Sequence, residues 1–291
     1  ECANSVTWEP ASNGKRMNDW LTNMGDWNIS RKRYYGMPLP FYPCDCGHIT
    51  VVGSKAELRE KAVDPAQVDA LLELHRPWVD EVKIKCPHCG KEVSRVSDIG
   101  DVWLDAGIVP FSTLGYFTDR EAWEKNFPAE WVTEMHEQVR LWFYSMLFMS
   151  TVLVGKAPYE RVVTNGMVVA EDGSKFSKTG FMIKFDEAAE KIGADTVRYL
   201  YASAPTNNDV RFGYNLGDEA RRKMLGFWNI YTFFETYAQL DKPNFAEYKV
   251  DFSKLTPIDK WLVVRTNEYI SKATAAMDDY KSAALIKEFE L

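Results

Sequence analysis

Two lysines, Lys175 and Lys178, stand in the run Glu171-Asp172-Gly173-Ser174-Lys175-Phe176-Ser177-Lys178-Thr179-Gly180. A lysine ammonium is a compact, mobile charge that follows phosphate oxygens as they separate, and small neighbours such as Gly173, Ser174 and Ser177 let the backbone approach and donate its own N–H groups. The loop therefore suits ATP or pyrophosphate, with Lys175, Ser177 and Lys178 as the contacts. A solvated basic turn after a strand has the same spacing, and the loop alone does not separate the two.

A second group surrounds Glu134-Met135-His136-Glu137-Gln138, which follows the strand-like Trp131-Val132-Thr133 and opens the helical run Gln138 to Val154. That position is the carboxyl end of a parallel strand, where open α/β sheets bind ligands. The Glu134 carboxylate can accept from sugar hydroxyls and the Gln138 carbonyl from an ammonium. An acidic residue favoured merely by the dipole of a helix N-terminus is the ordinary alternative. Trp103 and Trp142 are large rigid aromatics able to wall a pocket, although in a chain with 10 Trp a plain core position is the commoner explanation of each.

Four of the five cysteines form two close pairs, Cys44 with Cys46 and Cys86 with Cys89. Cys86-Pro87-His88-Cys89-Gly90 has the spacing of a zinc knuckle, in which two thiolates chelate one tetrahedral ion. Cys44-Asp45-Cys46-Gly47-His48 is less regular, with His48 as a substitute ligand. The expectation is a structural Zn²⁺ held by Cys44, Cys46, Cys86 and Cys89; a degenerate knuckle without metal is the alternative.

The elements that position these residues change character along the chain. Residues 1–40 are dense in Gly and Pro and read as an extended connection. Residues 41–97 hold both cysteine pairs around a helical middle, Ser54 to Leu74, which Ser54 and Glu57 open as a capping box. Over 98–213 short apolar strands alternate with helical runs, including Arg161 to Val169 and Asp186 to Ala204, which implies βαβ units and a parallel sheet. Residues 214–291 lose strand character: Asp218 to Leu240 and Ile258 to Glu290 have helical spacing, with Trp261, Leu262, Tyr269, Ile270, Ala273, Met277 and Tyr280 on one stripe. The predicted fold class is α/β with a metal-stapled insert and a helical C-terminal domain.

Composition narrows the function classes. A 46% hydrophobic, 26% charged chain of 291 residues supports an ordinary globular core. A formal charge of −7 excludes a protein that coats nucleic acid by bulk electrostatics, leaving local patches such as Arg31, Lys32 and Arg33 beside Tyr34 and Tyr35, for which a solvated loop is the safer reading. Leu141 to Gly155 is the one long uncharged apolar run, shorter than the ~20 residues of a membrane span. With no secretory pattern at the start, the cytoplasm is the expected location and no membrane the expected partner.

Lys175-Phe176-Ser177-Lys178-Thr179 resembles the Lys-Met-Ser-Lys-Ser signature of class I aminoacyl-tRNA synthetases. Asp26-Trp27-Asn28-Ile29-Ser30-Arg31 with Arg33-Tyr34-Tyr35-Gly36-Met37-Pro38-Leu39-Pro40, then Asp101-Val102-Trp103-Leu104-Asp105-Ala106-Gly107, then Trp142-Phe143-Tyr144-Ser145, are similar to further blocks of the isoleucyl branch, in the same order. The resemblance implies the second half of a Rossmann-type catalytic domain with a zinc-ribbon insert and the start of an anticodon-binding helical domain. It also implies isoleucine, ATP with Mg²⁺, and tRNA as substrates and partners. By the same resemblance Lys178 contacts ATP, Glu134 the aminoacyl-adenylate and Gln138 the substrate amine, while Trp103 and Trp142 wall the isoleucine side chain. Met135 and Glu137 depart from the family's Glu-Gly-x-Asp-Gln, so the close backbone approach of its glycine is missing from this sequence.

The family's His-x-Gly-His motif is absent among the four histidines. The expectation is thus an interior fragment or split subunit that follows an absent editing domain, stops within the helical domain, and has little activity without the upstream half. Valyl and leucyl synthetases, and a non-catalytic zinc-ribbon module binding RNA or a partner, are the alternatives.

Overall fold

The computed structural model describes residues 1–247 and 249–290. They form two compact units, one of Glu1–Thr7, Ala11–Trp131 and Glu137–Arg161, the other of Trp8–Pro10, Val132–His136 and the described residues from Val162 on. Leu291, where the chain was expected to stop inside the helical domain, lies outside the described residues, as does Tyr248.

After strand β1 (Thr7–Glu9) comes a 12-residue helix, α1 (Ser12–Asn23), where an extended connection was expected. Its few apolar residues suffice because Met17 is wholly buried and Asn13 and Gly14 also face inward. Strand β2 (Ser30–Arg31) leads into two small antiparallel ribbons, β3 (Phe41–Pro43) with β4 (Ile49–Val51) and β5 (Ile84–Lys85) with β6 (Glu92–Val93). Between the ribbons the expected single helix is two: α2 (Lys55–Lys61) and α3 (Pro65–Asp69). Ser54 caps the first through the Glu57 amide at 3.1 Å, but Glu57 returns to the Gly53 amide at 2.7 Å. The break follows from Pro65, which takes the first helical position while Asp64 caps the Ala66 amide at 3.0 Å. One apolar cluster, including Tyr42, Leu58, Val68, Val82, Ile84 and Val93, holds both ribbons and both helices together.

Strand β7 (Ile99–Gly100) pairs with β2, and the helices α4 (Val102–Gly107), α5 (Val109–Ser112) and α6 (Arg120–Asn126) follow. Strand β8 (Val132–Met135) gives way to a 3-10 turn, His136–Arg140, and α7 (Trp142–Val154). The helix predicted from Gln138 thus begins at Trp142, because Leu141 breaks the backbone at φ −122°, ψ −101°. Phe143, Tyr144, Met146 and Leu147 bury α7, and the Tyr159 hydroxyl donates to the Phe143 carbonyl at 2.9 Å.

The second unit contains the parallel pairing. β9 (Arg161–Asn165) lies between β1 and β8, with Glu134 opposite Thr164 in the β8 register. β10 (Val168–Ala170) is a separate strand, so the run predicted over Arg161 to Val169 is interrupted at Gly166, whose missing Cβ would sit 2.1 Å from the Asn208 carbonyl oxygen. The helical run predicted from Asp186 is likewise two helices, α8 (Phe185–Ile192) and α9 (Ala194–Ser203), divided at Gly193 with φ +89°. β11 (Val210–Phe212) pairs in parallel with β10 and feeds the 28-residue α10 (Tyr214–Asp241). α11 (Pro257–Asp278) and α12 (Ser282–Phe289) replace the single final helix. The apolar stripe of α11 is not a core: Trp261, Leu262, Ile270 and Met277 are each more than half exposed. Among the described residues no helix is long and apolar enough to cross a membrane.

Candidate nucleotide and metal sites

The lysine loop leaves β10 through a tight turn. The Ala170 amide donates to the Ser174 carbonyl and the Gly173 amide to the Ala170 carbonyl, both at 2.8 Å, with Gly173 at φ +89°. Lys175 bridges back to Val169. Phe176 then turns inward and, with Val168, Ile183, Leu200 and Tyr214, packs on Ala188, Ile192, Val197 and Phe212. Ser177 closes the next turn: its amide donates to the Phe181 carbonyl at 3.2 Å and its Oγ accepts the Thr179 amide at 3.2 Å. An anchored Phe176 between exposed neighbours leaves Lys175 and Lys178 in solvent. Neither ammonium has an ion-pair partner among the described residues.

Glu134 lies exposed at the carboxyl end of β8, and its Oε2 accepts the Met135 amide at 3.1 Å. Glu134 belongs to the same unit as the lysines, whereas Gln138, Trp103 and Trp142 belong to the other. The Gln138 Oε1 accepts the Trp142 amide at 3.2 Å and so caps α7 across the break at Leu141.

Asp101 organises the surroundings of Trp103. One carboxylate oxygen caps the Trp103 amide at 3.2 Å; the other accepts Trp27 Nε1 at 2.9 Å and pairs with Arg31. Arg31 is therefore an internal partner of a buried acid, unlike the solvated cation read from the Arg31-Lys32-Arg33 run. Trp103 lines a cavity of about 320 Å³ with Trp20, Trp27, Arg140 and Tyr144. Trp142 is not among its walls; its Nε1 donates to the Ala106 carbonyl at 3.0 Å and fastens α7 to α4. The Arg140 guanidinium stands 5.5 Å over the Trp20 ring, whose own N–H is buried without a partner among the described residues. Sequence reasoning assigned nothing to Trp20, Arg140 or Tyr144; their joint position depends on how α1 meets α7, for which no motif exists.

The four cysteine sulfurs lie within 4.8 Å of one another, with Cys44 to Cys89 at 3.4 Å and Cys46 to Cys86 at 3.8 Å. Tetrahedral Zn–S bonds of about 2.3 Å place sulfurs about 3.8 Å apart, so the set fits zinc. His48 stays outside the sulfur cluster and stacks on His88 at 6.1 Å. The Cys46 amide works to lower the Cys44 thiol, but burial and the surrounding thiols outweigh it and push it up to about 12. Burial acts the opposite way to the net effect at Cys86, where the Cys89 and His88 amides bring the thiol down to about 7. The thiolate is the ligand form, so a bound cation would favour the deprotonated set.

Comparison with known proteins bears on this geometry. The family model described as tRNA synthetases class I (I, L, M and V) matches residues 1–213. The isoleucine–tRNA ligase of Clostridium novyi is 39% identical over 293 residues, covering 99% of this chain and 28% of that protein. Isoleucine–tRNA ligase 2 of Bacillus cereus is 40% identical over 98% of the chain, and the Methanopyrus kandleri ligase 38% over 94%. The chain spans about 28% of the length of the first of these relatives. In fold it is similar to the LeuRS of an Agrobacterium radiobacter LeuRS–tRNA–LeuAMS ternary complex, with a TM-score of 0.68 at 21% identity, over 91% of this chain and 35% of that one. The chain belongs to the class I tRNA synthetases of the isoleucine, leucine, methionine and valine group.

Proposed function

We propose that the protein containing this chain is an isoleucine–tRNA ligase. The reading is carried by the near-complete coverage of the chain by isoleucine–tRNA ligases at 37–40% identity. In the first step the isoleucine carboxylate attacks the α-phosphorus of ATP and pyrophosphate leaves. Negative charge moves onto the departing phosphates, and Lys175 and Lys178, exposed on a loop fixed by Phe176, follow it with mobile ammonium groups while Ser177 shapes the turn. Mg²⁺ would neutralise phosphate oxygens. Glu134 accepts from the adenylate ribose and Gln138, with one lone pair on Trp142, accepts from the substrate ammonium. Trp103 lines the side-chain slot, and Trp142 fixes α7 against α4 behind it. In the second step a terminal ribose hydroxyl of the tRNA attacks the isoleucyl carbonyl, an ester forms and AMP leaves.

The fold assignments follow the same reading: a connection (1–40), a zinc ribbon (41–97) with Cys44, Cys46, Cys86 and Cys89 as ligands, the second Rossmann half (98–213) and a helical anticodon-binding start (214–291). A His-x-Gly-His segment is absent from this sequence, so activation requires a further half that supplies it, and the setting is cytoplasmic. ATP–pyrophosphate exchange by the full-length protein with isoleucine, valine and leucine tests the proposal. Isoleucine is expected to give the highest kcat/KM; a preference for either competitor overturns the substrate assignment.

A further inference from the structure

The first turn of α10 grips the lysine loop at both ends. Before the loop, the Glu171 carboxylate accepts the Leu216 amide at 3.0 Å and Asn215 Nδ2 at 2.9 Å. Leu216 occupies the third position of α10, so Glu171 caps a helix whose own preceding residue, Gly213, offers no side chain. Gly213 is pressed against that carboxyl so closely that a Cβ would lie 2.3 Å from Glu171 Cγ. The Glu171 carbonyl also accepts from Arg211 Nη1 at 3.2 Å, on the strand that feeds α10.

After the loop, in the first turn of α8, Glu187 Oε1 accepts the Tyr214 hydroxyl at 2.6 Å and Lys191 Nζ at 2.8 Å. Lys191 Nζ in turn stands 4.6 Å over the Tyr214 ring. Tyr214 also packs on the apolar cluster that receives Phe176. Residues 214–216 therefore hold two carboxylates that bracket the lysines in sequence.

We infer that Glu171 and Glu187 are positioning residues: they pin the two stems of the lysine loop to the first turn of α10, so that Lys175 and Lys178 move from fixed points. This rests on the ligase reading for its kinetic consequence, but the clamp is a statement about structure and can be tested apart from it. Without the clamp the loop samples more conformations, and fewer of them present both ammonium groups to one polyphosphate.

The experiment uses the full-length protein with E171A, E187A and E171Q, reading tryptic cleavage after Lys175 and Lys178 by mass spectrometry alongside exchange kinetics. Loss of either carboxylate is expected to raise cleavage at these two bonds about tenfold with the global melting transition little changed. In exchange kinetics kcat falls about tenfold with a smaller change in the KM for ATP, and E171Q, whose amide oxygen still accepts the Leu216 amide, recovers most of it. Unaltered cleavage in both alanine variants overturns the clamp, as does an E171Q as impaired as E171A. K178A run in parallel separates the failures. If it leaves exchange untouched, the role assigned to the lysines is wrong, and the cleavage measurement alone decides the clamp.

Discussion

The sulfurs of Cys44 and Cys89, 45 residues apart in sequence, lie 3.4 Å from each other. The same two sulfurs are gathered with Cys46 and Cys86, an arrangement that fits the proposed zinc site. Full-length protein is expected to carry one zinc in the ribbon, measured by elemental analysis, and Co²⁺ substitution should give the visible charge-transfer bands of tetrahedral thiolate ligation. Substituting Cys89→Ser should abolish those bands and lower the melting temperature, since the binding free energy of a structural zinc is folding free energy.

Lys175→Ala and Lys178→Ala should each lower kcat for ATP–pyrophosphate exchange by about 10² to 10³, the usual effect of removing one preorganised donor from a developing charge. Circular dichroism should be unaltered, because both side chains are exposed.

Arg95 holds the entrance of the ribbon. Its side chain is 1% exposed, pairs with Asp80, and donates to the Leu39 and Asp98 carbonyls at 3.0 and 2.8 Å. Arg95→Ala strips Asp80 Oδ1 and the Leu39 carbonyl of their buried charged donor, although Arg76 still pairs with Asp80 and the Leu39 amide still reaches the Asp98 carbonyl, and is expected to destabilise by about 3 kcal/mol, read by urea unfolding. Arg95→Lys should recover only part of this, since one ammonium cannot span all three acceptors.

Gly107 on α4 lies against the backbone of α7, where a Cβ would sit 2.8 Å from the Ser145 carbonyl oxygen. Gly107→Ala must push the helices apart, at about 1 to 3 kcal/mol by thermal unfolding. Because Trp103 and Trp142 ride on these two helices, the KM for isoleucine should rise more than that for ATP.

The Leu216 amide, followed by Asn215, holds the Glu171 carboxyl below its ordinary value of 4.5. A group depressed in the folded state stabilises it fully above the unfolded value and loses that contribution as pH falls through the folded one. The α10 anchor is therefore intact at neutral pH and weakens only below 4.5. The Leu216 amide resonance should titrate with a midpoint under that value, and Glu171→Gln should remove the titration.

The candidate residues stand out in the sequence because their spacing is local. Cys86 and Cys89 share one turn, and Lys175 and Lys178 share one loop, so neither grouping needs long-range information to be noticed. Element boundaries were less legible. Pro65, Gly166 and Gly193 each divide a run that apolar periodicity had joined, two of them for reasons of local backbone and Gly166 through a contact with Asn208, 42 residues away.

By itself the sequence determined the alternation of strands and helices, the cysteine set and the lysine loop, since hydrophobic period and residue spacing act over a few residues. Tertiary structure alone decided that Arg31 belongs to Asp101, that Trp103 shares a cavity with Trp20 and Tyr144 and not with Trp142, and that Glu171 caps α10. Each of these depends on where two distant backbones meet, and burial then selects a partner for every polar group left there.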